Sequence, residues 1–126
     1  METITIRTRK RAEMVDITRQ VVEIVRLSEI GTGHCLVFVP HTTAGVTINE
    51  HADADVASDM ISTLDKLVPW NDAYEHIEGN SAAHVKASLM GSSAMIVVES
   101  NSLQLGTWQG IFFCEYDGPR TRNVWV

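Results

Sequence analysis

Short apolar runs and alternating apolar and polar positions divide this chain into six predicted strands. They cover residues 3–8, 35–39, 44–49, 94–99, 107–116 and 120–126. Three further segments carry apolar residues at helical spacing, and residues that commonly begin or end helices bound each of them. They predict helices from Asp16 to Gly31, from Asp53 to Val68, and from Asn80 or Ser81 to Met90.

The order of these elements is strand, helix, two strands, two helices and three strands. It lacks the strict strand–helix alternation of a parallel sheet, so we predict a single α+β domain over residues 1–126 with mostly antiparallel sheets and helices on the outer face. The strands at 36–39, 94–98 and 111–114 are apolar on both faces. This pattern predicts two sheets in contact, or a sheet face that another subunit covers.

Composition narrows the choice of partners and compartment. The 126 residues carry a formal net charge of −6, so no basic field favours nucleic acid or an anionic membrane surface. No apolar run approaches the ~20 residues of a membrane-spanning helix, and the first residues lack the apolar stretch of an export signal. Cys35 and Cys114 lie within apolar runs, as buried thiols do. These features predict a cytoplasmic protein.

The first candidate site is the segment HTTAGVTINE at 41–50. His41 follows Pro40 at the end of a predicted strand, where a rigid sheet can hold a catalytic imidazole. We expect Thr42 and Thr43 to offer hydroxyls to a phosphate, and Gly45 to let a ligand approach the main chain. We also expect substrate contacts from two residues at the end of the next strand, Asn49 and Glu50. The alternative is an ordinary turn and strand–helix junction without a ligand.

The second candidate site is the segment HIEGNSAAH at 76–84. Its catalytic candidates are Asn80 and His84, which share one face of the predicted helix. The free first-turn amides of that helix favour an anion, so we expect Gly79 and Ser81 to bind phosphate. The alternative is a helix cap that binds nothing.

A metal is a further possibility. His41, His76 and His84 would supply three imidazoles, the number that a catalytic zinc ion typically uses. Asp55 and Asp59 lie one helical turn apart and offer oxygen ligands for Mg²⁺, although such acidic residues also suit a solvated helix start. A diphosphate substrate would bring its own Mg²⁺.

The third candidate region runs from Leu105 to Arg120. Trp108 can stack on a flat heterocycle, and Gln109 can read the polar edge of that heterocycle. Gly110 suggests a bulge or the close approach of another backbone. Arg120 can clamp a phosphate, or it can pair with Asp117 and hold the final hairpin.

The chain as a whole resembles the YjbQ-type family, known as secondary thiamine-phosphate synthases. The resemblance is carried by the two candidate segments together with SLMGSSAMIVVES at 88–100 and LGTWQGIFFCEYDGPRTR at 105–122. It implies one α+β domain with two small sheets, assembly as a homotrimer, and a thiamine-phosphate synthase-type activity. In that reaction the nitrogen of a thiazole phosphate displaces pyrophosphate from a pyrimidinylmethyl diphosphate. The site residues above are inferred from their chemistry and not from the resemblance.

The sequence therefore leaves three candidate functions. The first is an enzyme that acts on a small phosphorylated heterocycle. The second is a non-catalytic trimeric protein that binds a metal or a metabolite, and the third is a zinc-dependent hydrolase. For the first, we expect His41 and the 76–84 segment to share one pocket that lies between subunits, with Trp108 as its floor.

Overall fold

The computed structural model describes all 126 residues and contains eight strands and three helices. In chain order the elements are β1 (Thr3–Arg7), β2 (Glu13–Asp16), α1 (Thr18–Ser28), β3 (Gly33–Phe38), β4 (Ala44–Glu50), α2 (Ala54–Leu67), α3 (Ser81–Met90), β5 (Ser93–Glu99), β6 (Ser102–Leu103), β7 (Gln109–Glu115) and β8 (Thr121–Trp125). None of the helices combines the length and the apolar character needed to cross a bilayer.

The strands form two antiparallel sheets. One has five strands in the order β1-β8-β3-β5-β6, and the other has three in the order β2-β7-β4. The predicted α+β class with two antiparallel sheets is therefore confirmed. Two strands escaped prediction, because β6 has only two residues and β2 is a single turn-flanked run of four residues that are no more than partly buried.

The main core lies between the two sheets. Ile4, Val37 and Val98 of the five-stranded sheet face Val46 and Phe113 of the three-stranded sheet in one buried cluster. Helix α1 adds Val21 and Val25 to the same cluster, and Ile17, the residue just before the helix, is buried there as well. At roughly 1.5–3 kcal/mol for each fully buried large apolar side chain, this cluster is the main stabilising element of the fold.

Strand β7 is buried on both faces, as its apolar pattern predicts. Ile111 and Phe113 point into the main core, whereas Phe112 and Cys114 join a second cluster on the opposite face. That second cluster also includes Ala83 and other residues of α3, and it packs against Leu64 of α2 and Trp70. The helices therefore cover the outer face of the three-stranded sheet.

The outer face of the five-stranded sheet has no such cover within the chain. Leu36 is 49% exposed, Met95 is 64% exposed and Val97 is 55% exposed. Leu36 and Met95 are cross-strand partners, and the rings of Phe38 and Trp125 extend the same apolar surface at a centroid distance of 5.8 Å. Contiguous exposed apolar patches are uncommon on monomeric proteins and are typical of interaction surfaces.

Two helix starts follow the sequence prediction in part. The Asp53 side chain accepts a hydrogen bond from the Asp55 amide at 2.9 Å and so caps α2, the helix that was predicted to begin at this residue. The Asp16 carboxylate accepts from the amide and hydroxyl of Thr18 at the start of α1. Both cysteines are buried and unpaired, and burial raises the pKa of the Cys114 thiol to about 12.

Candidate active site

An open cleft of about 470 Å³ lies where the ends of β3 and β4 meet helix α3. Its lining combines two imidazoles, three hydroxyls and small apolar groups: His41, Thr42, Ala44, His84, Ala87, Ser88, Gly91 and Ser92. No carboxylate, lysine or arginine belongs to this lining. The structure thus brings His41 and His84 together, as expected from the sequence, in a site made of neutral or cationic hydrogen-bonding groups.

Gly45 determines how closely α3 approaches β4 beside the cleft. A Cβ atom on Gly45 would lie 2.6 Å from the Gly91 carbonyl oxygen and 3.3 Å from Cβ of Met90. The Gly91 carbonyl also accepts the Val46 amide at 3.0 Å. The expectation that Gly45 admits a ligand was wrong, because Gly45 is buried and the end of α3 occupies that space.

Gly45→Ala is therefore expected to destabilise the protein by about 1–3 kcal/mol, the usual cost of overpacking. The added methyl group forces the C-terminal end of α3 away from β4. Gly31→Ala is the matched control, since a Cβ there meets nothing within 4 Å. Urea unfolding of both variants tests the prediction, and an equal loss in the two variants would contradict it.

His41 makes one hydrogen bond within the chain. Its Nε2 atom accepts from the main-chain amide of Asn123 in β8 at 2.9 Å. Burial lowers the pKa of His41, and the positive charge of Arg122 lowers it further. The ring is therefore held neutral at the mouth of the cleft.

His84 lies one helical turn beyond Asn80 on α3, and its ring meets that of His76 edge to face at a centroid distance of 5.5 Å. His76 is exposed and does not line the cleft. No three His, Cys, Asp or Glu side chains anywhere in the chain are grouped so that they could hold a metal ion. The set of His41, His76 and His84 is thus not arranged as a metal centre within one chain.

A buried ion pair supports the loop that carries His41. The Glu115 carboxylate is fully buried and accepts from Arg122 through Nε at 2.9 Å and through Nη2 at 2.5 Å. The Thr8 hydroxyl donates to the same carboxylate at 2.7 Å. The Thr43 hydroxyl is buried as well and accepts from Arg122 at 2.8 Å.

This network corrects one expectation and adds two residues that sequence reasoning missed. Thr43 is a structural partner of Arg122 and faces away from solvent, so we no longer assign it to phosphate. Glu115 and Arg122 were not candidates. Along their strands, however, Glu115 lies on the same face as Ile111 and Phe113, and Arg122 lies on the same face as Val124. That inward placement of opposite charges was the available signal.

Asn80 occupies the position before α3 but does not cap it with its side chain. Its amide nitrogen donates to Asp117 at 2.9 Å, and its side-chain oxygen is buried without a partner. Asp117 also accepts from Arg120 at 3.1 Å. Asn80 and Arg120 are thus joined through Asp117, and the pairing of Arg120 with Asp117 is present as one of the two expected alternatives.

The first turn of α3 offers fewer free amides than expected. Gly79 is exposed with a φ of 75°, but its amide donates to the His76 carbonyl at 3.1 Å and is not free for phosphate. Ser81 is partly buried, and its amide makes no hydrogen bond to the main chain. Ser81 therefore stays a candidate for an anion, whereas the amide of Gly79 does not.

Trp108 and Gln109, in the first part of the third candidate region, lie at the end of the three-stranded sheet that is far from the cleft. Ala44 pairs with Glu115, whereas Glu50 pairs with Gln109 six residues further along β4. At about 3.3 Å per residue, the two ends are roughly 20 Å apart. Trp108 and Gln109 therefore do not floor the cleft of their own chain.

The side chains at that far end are held locally. The Gln109 side-chain oxygen accepts from the Gly106 amide at 2.7 Å, which closes the loop around the exposed Trp108. Asn49 turns its side-chain oxygen to the Glu50 amide at 2.7 Å. The Asn49 amide nitrogen donates to the Met60 sulfur at 3.4 Å. The Gln109 amide nitrogen, the Trp108 indole and the Glu50 carboxylate have no hydrogen-bond partner within the chain and can contact a ligand.

Gly110 makes a close approach, as expected, but to a side chain. A Cβ there would lie 2.5 Å from Cγ of His51, so the His51 ring sits directly on the main chain of β7. The His51 Nδ1 atom is 3.0 Å from the Asp16 carboxylate. His51 had no predicted role, and in the structure it ties β4 to the start of α1.

Comparison with known proteins identifies relatives over the full length of the chain. A family model described as UPF0047 protein YjbQ-like matches residues 2–126. The UPF0047 protein YugU of Bacillus subtilis is 50% identical over 127 residues, which cover 100% of this chain and 96% of YugU. A UPF0047 protein of Methanocaldococcus jannaschii is also 50% identical, over 96% of this chain and 88% of its own length.

Solved structures agree with this fold. A crystal structure of an uncharacterized YjbQ/UPF0047-family protein from Clostridium acetobutylicum superposes with a TM-score of 0.98 at 50% identity, covering 99% of this chain and 97% of that one. A YbjQ-like protein of unknown function from Sulfolobus solfataricus gives a TM-score of 0.95 at 36% identity, covering 98% of this chain and 91% of that one.

Proposed function

Since this chain belongs to the UPF0047 family of YjbQ-like proteins, we propose that it has a thiamine-phosphate synthase-type activity. This is the activity that the resemblance of its sequence to secondary thiamine-phosphate synthases implies. It would join a thiazole phosphate to a pyrimidinylmethyl diphosphate in the cytoplasm and release pyrophosphate. In this reaction the lone pair of the thiazole nitrogen attacks the methylene carbon and a C–N bond forms. The C–O bond to the diphosphate breaks, and pyrophosphate leaves with the electron pair.

For this reaction the protein needs to contribute mainly electrostatic stabilisation and the positioning of the two substrates. No proton must move for the bond to form, so a general base is not required. The barrier falls when hydrogen-bond donors neutralise the charge that develops on the leaving pyrophosphate. A suitable site therefore presents donors and excludes carboxylates.

The composition of the cleft is the main support for the proposed activity. His41, His84 and the three hydroxyls converge there without any carboxylate. The side chains of Thr42, His84, Ser88 and Ser92 make no hydrogen bond within the chain, so they are free to contact a ligand. Donors of this kind suit phosphate oxygens.

Helix α3 would orient the substrates along the cleft. His84 lies toward the N-terminal end of this helix, whose partial positive charge favours the diphosphate. Gly91 and Ser92 lie at its C-terminal end, whose partial negative charge favours the thiazolium cation that forms. Mg²⁺ would enter the cleft already bound to the diphosphate, because the cleft itself offers no carboxylate ligand.

Arg120 and Ser81 lie near the His84 end of this arrangement. Arg120 is half exposed, and its bond to Asp117 leaves other guanidinium N–H groups unpaired. Asp117 in turn holds Asn80, the residue just before α3. We propose that Asn80 acts by positioning Asp117 and Arg120, and that Arg120 and Ser81 contact a substrate phosphate.

The active unit that we propose is a homotrimer with sites between subunits. The uncovered apolar face around Leu36 and Met95 supports association, since an exposed patch of this kind is costly in water. Trp108 and Gln109 are too distant to serve the cleft of their own chain. A neighbouring chain would bring its Trp108 to the cleft, where the indole would stack on a substrate ring.

His84→Ala tests the use of the cleft. It is expected to lower the rate of thiamine-phosphate formation about 10²-fold or more, since it removes a donor from the developing charge. The free energy of unfolding should change by less than about 1 kcal/mol, because the His84 side chain makes no hydrogen bond that the fold needs. Leu89→Ala, an exposed position on the same helix, is the matched control.

The outcomes separate the candidate functions. A rate that falls in His84→Ala but not in Leu89→Ala supports the synthase. A wild-type protein that binds pyrophosphate without forming thiamine phosphate would instead be a binding protein. A melting temperature that collapses in His84→Ala, with ligand binding intact in the folded fraction, would make His84 structural.

A further inference from the structure

The contact between His41 and Asn123 fixes which nitrogen of the imidazole carries a proton. A main-chain amide can only donate, so Nε2 of His41 must accept the bond at 2.9 Å with its lone pair. A neutral imidazole has one protonated nitrogen. That proton therefore sits on Nδ1, which has no partner within the chain.

The topology of the five-stranded sheet explains why this bond exists. Strands β3 and β8 pair at a single position, Phe38 with Trp125, because Phe38 is the last residue of β3 and β8 extends beyond it. The Asn123 amide faces the resulting gap without a strand partner, and His41, three residues beyond β3, supplies the missing acceptor. This bond selects the tautomer, because only an unprotonated Nε2 can accept it.

We propose that His41 is a fixed, uncharged hydrogen-bond donor through Nδ1–H, and that the group bound beside it is an oxyanion and not a metal ion. The oxyanion assignment rests on the proposed function and gives His41 its role in it, which is to donate to an oxygen of the diphosphate. Asn123 is not part of the cleft lining, so the Nε2 edge of the ring is used outside the cleft. Nδ1 is the nitrogen left for a ligand.

Metal coordination would require a different state of the ring. A metal ion binds an imidazole nitrogen through its lone pair. In His41 the lone pair of Nε2 is taken by the Asn123 amide, and Nδ1 carries the proton. Binding zinc at His41 therefore means breaking the bond to Asn123 and leaving its amide unpaired.

The direct test is the tautomer of His41 in solution. In protein labelled with ¹⁵N at histidine, long-range ¹H–¹⁵N correlation distinguishes a protonated from an unprotonated ring nitrogen. We expect His41 to show a protonated Nδ1 and an unprotonated Nε2. Inorganic pyrophosphate should shift the Nδ1 resonance of His41 in a saturable manner. Zn²⁺ alone should leave the resonances of both ring nitrogens of His41 unshifted.

Two variants at one position sharpen the test. Asn123→Pro removes the amide, while Asn123→Ala keeps it as the matched control. Asn123→Pro should give a mixture of His41 tautomers and weaken pyrophosphate binding about two- to tenfold, the value of one hydrogen bond. Asn123→Ala should behave as the wild type. The wild-type spectra decide the tautomer if Asn123→Pro does not fold.

The failures are distinguishable. A His41 protonated at Nε2, or one that ligates Zn²⁺, overturns this inference and leaves the synthase reaction to be judged by its own assay. A His41 protonated at Nδ1 that pyrophosphate and phosphate do not perturb overturns the oxyanion assignment, together with the proposed use of this cleft. An unaltered tautomer in folded Asn123→Pro would show that the amide does not control it.

Discussion

Replacing Arg122 by methionine is expected to lower the free energy of unfolding by about 3–5 kcal/mol. The substitution leaves the Glu115 carboxylate buried without its counter-charge, although Thr8 and the amides of Tyr116 and Asp117 still donate to it. Hydrogen bonds alone do not compensate a carboxylate that is removed from water. The loss should appear as a lower midpoint in chemical unfolding at fixed protein concentration.

Arg120→Met is the matched control for that experiment. Arg120 lies two residues away and also pairs with a carboxylate, but its side chain is half exposed, so its ion pair contributes at most about 1 kcal/mol. The double variant Glu115→Leu/Arg122→Met removes both charges and should recover part of the stability lost by Arg122→Met alone. Equal losses in Arg122→Met and Arg120→Met would refute the assigned importance of the buried pair.

Charging the uncovered face of the five-stranded sheet is expected to dissociate the assembly. In Leu36→Glu/Met95→Glu, two cross-strand partners become like charges in the middle of the apolar surface. Burying two carboxylates in a subunit interface costs more than the apolar contacts there can offset. If the proposed trimer forms, light scattering should give the mass of a trimer for the wild type and of a monomer for the variant.

The corresponding control charges an exposed leucine elsewhere. Leu67 is 71% exposed at the end of α2, outside the proposed interface, and Leu67→Glu should leave the mass unchanged. If Trp108 reaches the cleft of a neighbouring chain, the monomeric variant should also lose synthase activity. A wild-type protein that is monomeric at micromolar concentration would contradict the proposed assembly.

The fold was largely predictable because its signals are local. The alternation of Ile4 and Ile6 in β1 and the capping carboxylate of Asp53 each report their own element. The doubly buried β7 was visible in its unbroken apolar run. By contrast, β2 and β6 owe their existence to neighbouring strands, since neither carries a pattern of its own.

The candidate site was predictable only in part, because its geometry depends on contacts between distant segments. The sequence marked His41 and His84, and the structure places both in one cleft. It could not show that Thr43 is taken by Arg122, or that Gly45 is filled by the end of α3. These contacts join residues from separate strands and helices, so no local spacing reveals them.

The position of Trp108 was likewise not predictable from local sequence. Its neighbourhood in sequence suggests a ligand platform, but the register of β4 on β7 places it at the opposite end of the sheet from His41. Register depends on the whole strand pair and moves every residue of the strand together. Trp108 would therefore contact the cleft only in the proposed trimer, from a neighbouring chain.

The most direct test of the proposed site is a crystal structure of the protein soaked with pyrophosphate and Mg²⁺. We expect pyrophosphate in the cleft between His41 and His84, with an oxygen about 3 Å from Nδ1 of His41. The Asn123 amide should still donate to Nε2 in that complex. Pyrophosphate bound elsewhere, with the cleft empty at a concentration that saturates binding in solution, would contradict the assignment of this cleft as the active site.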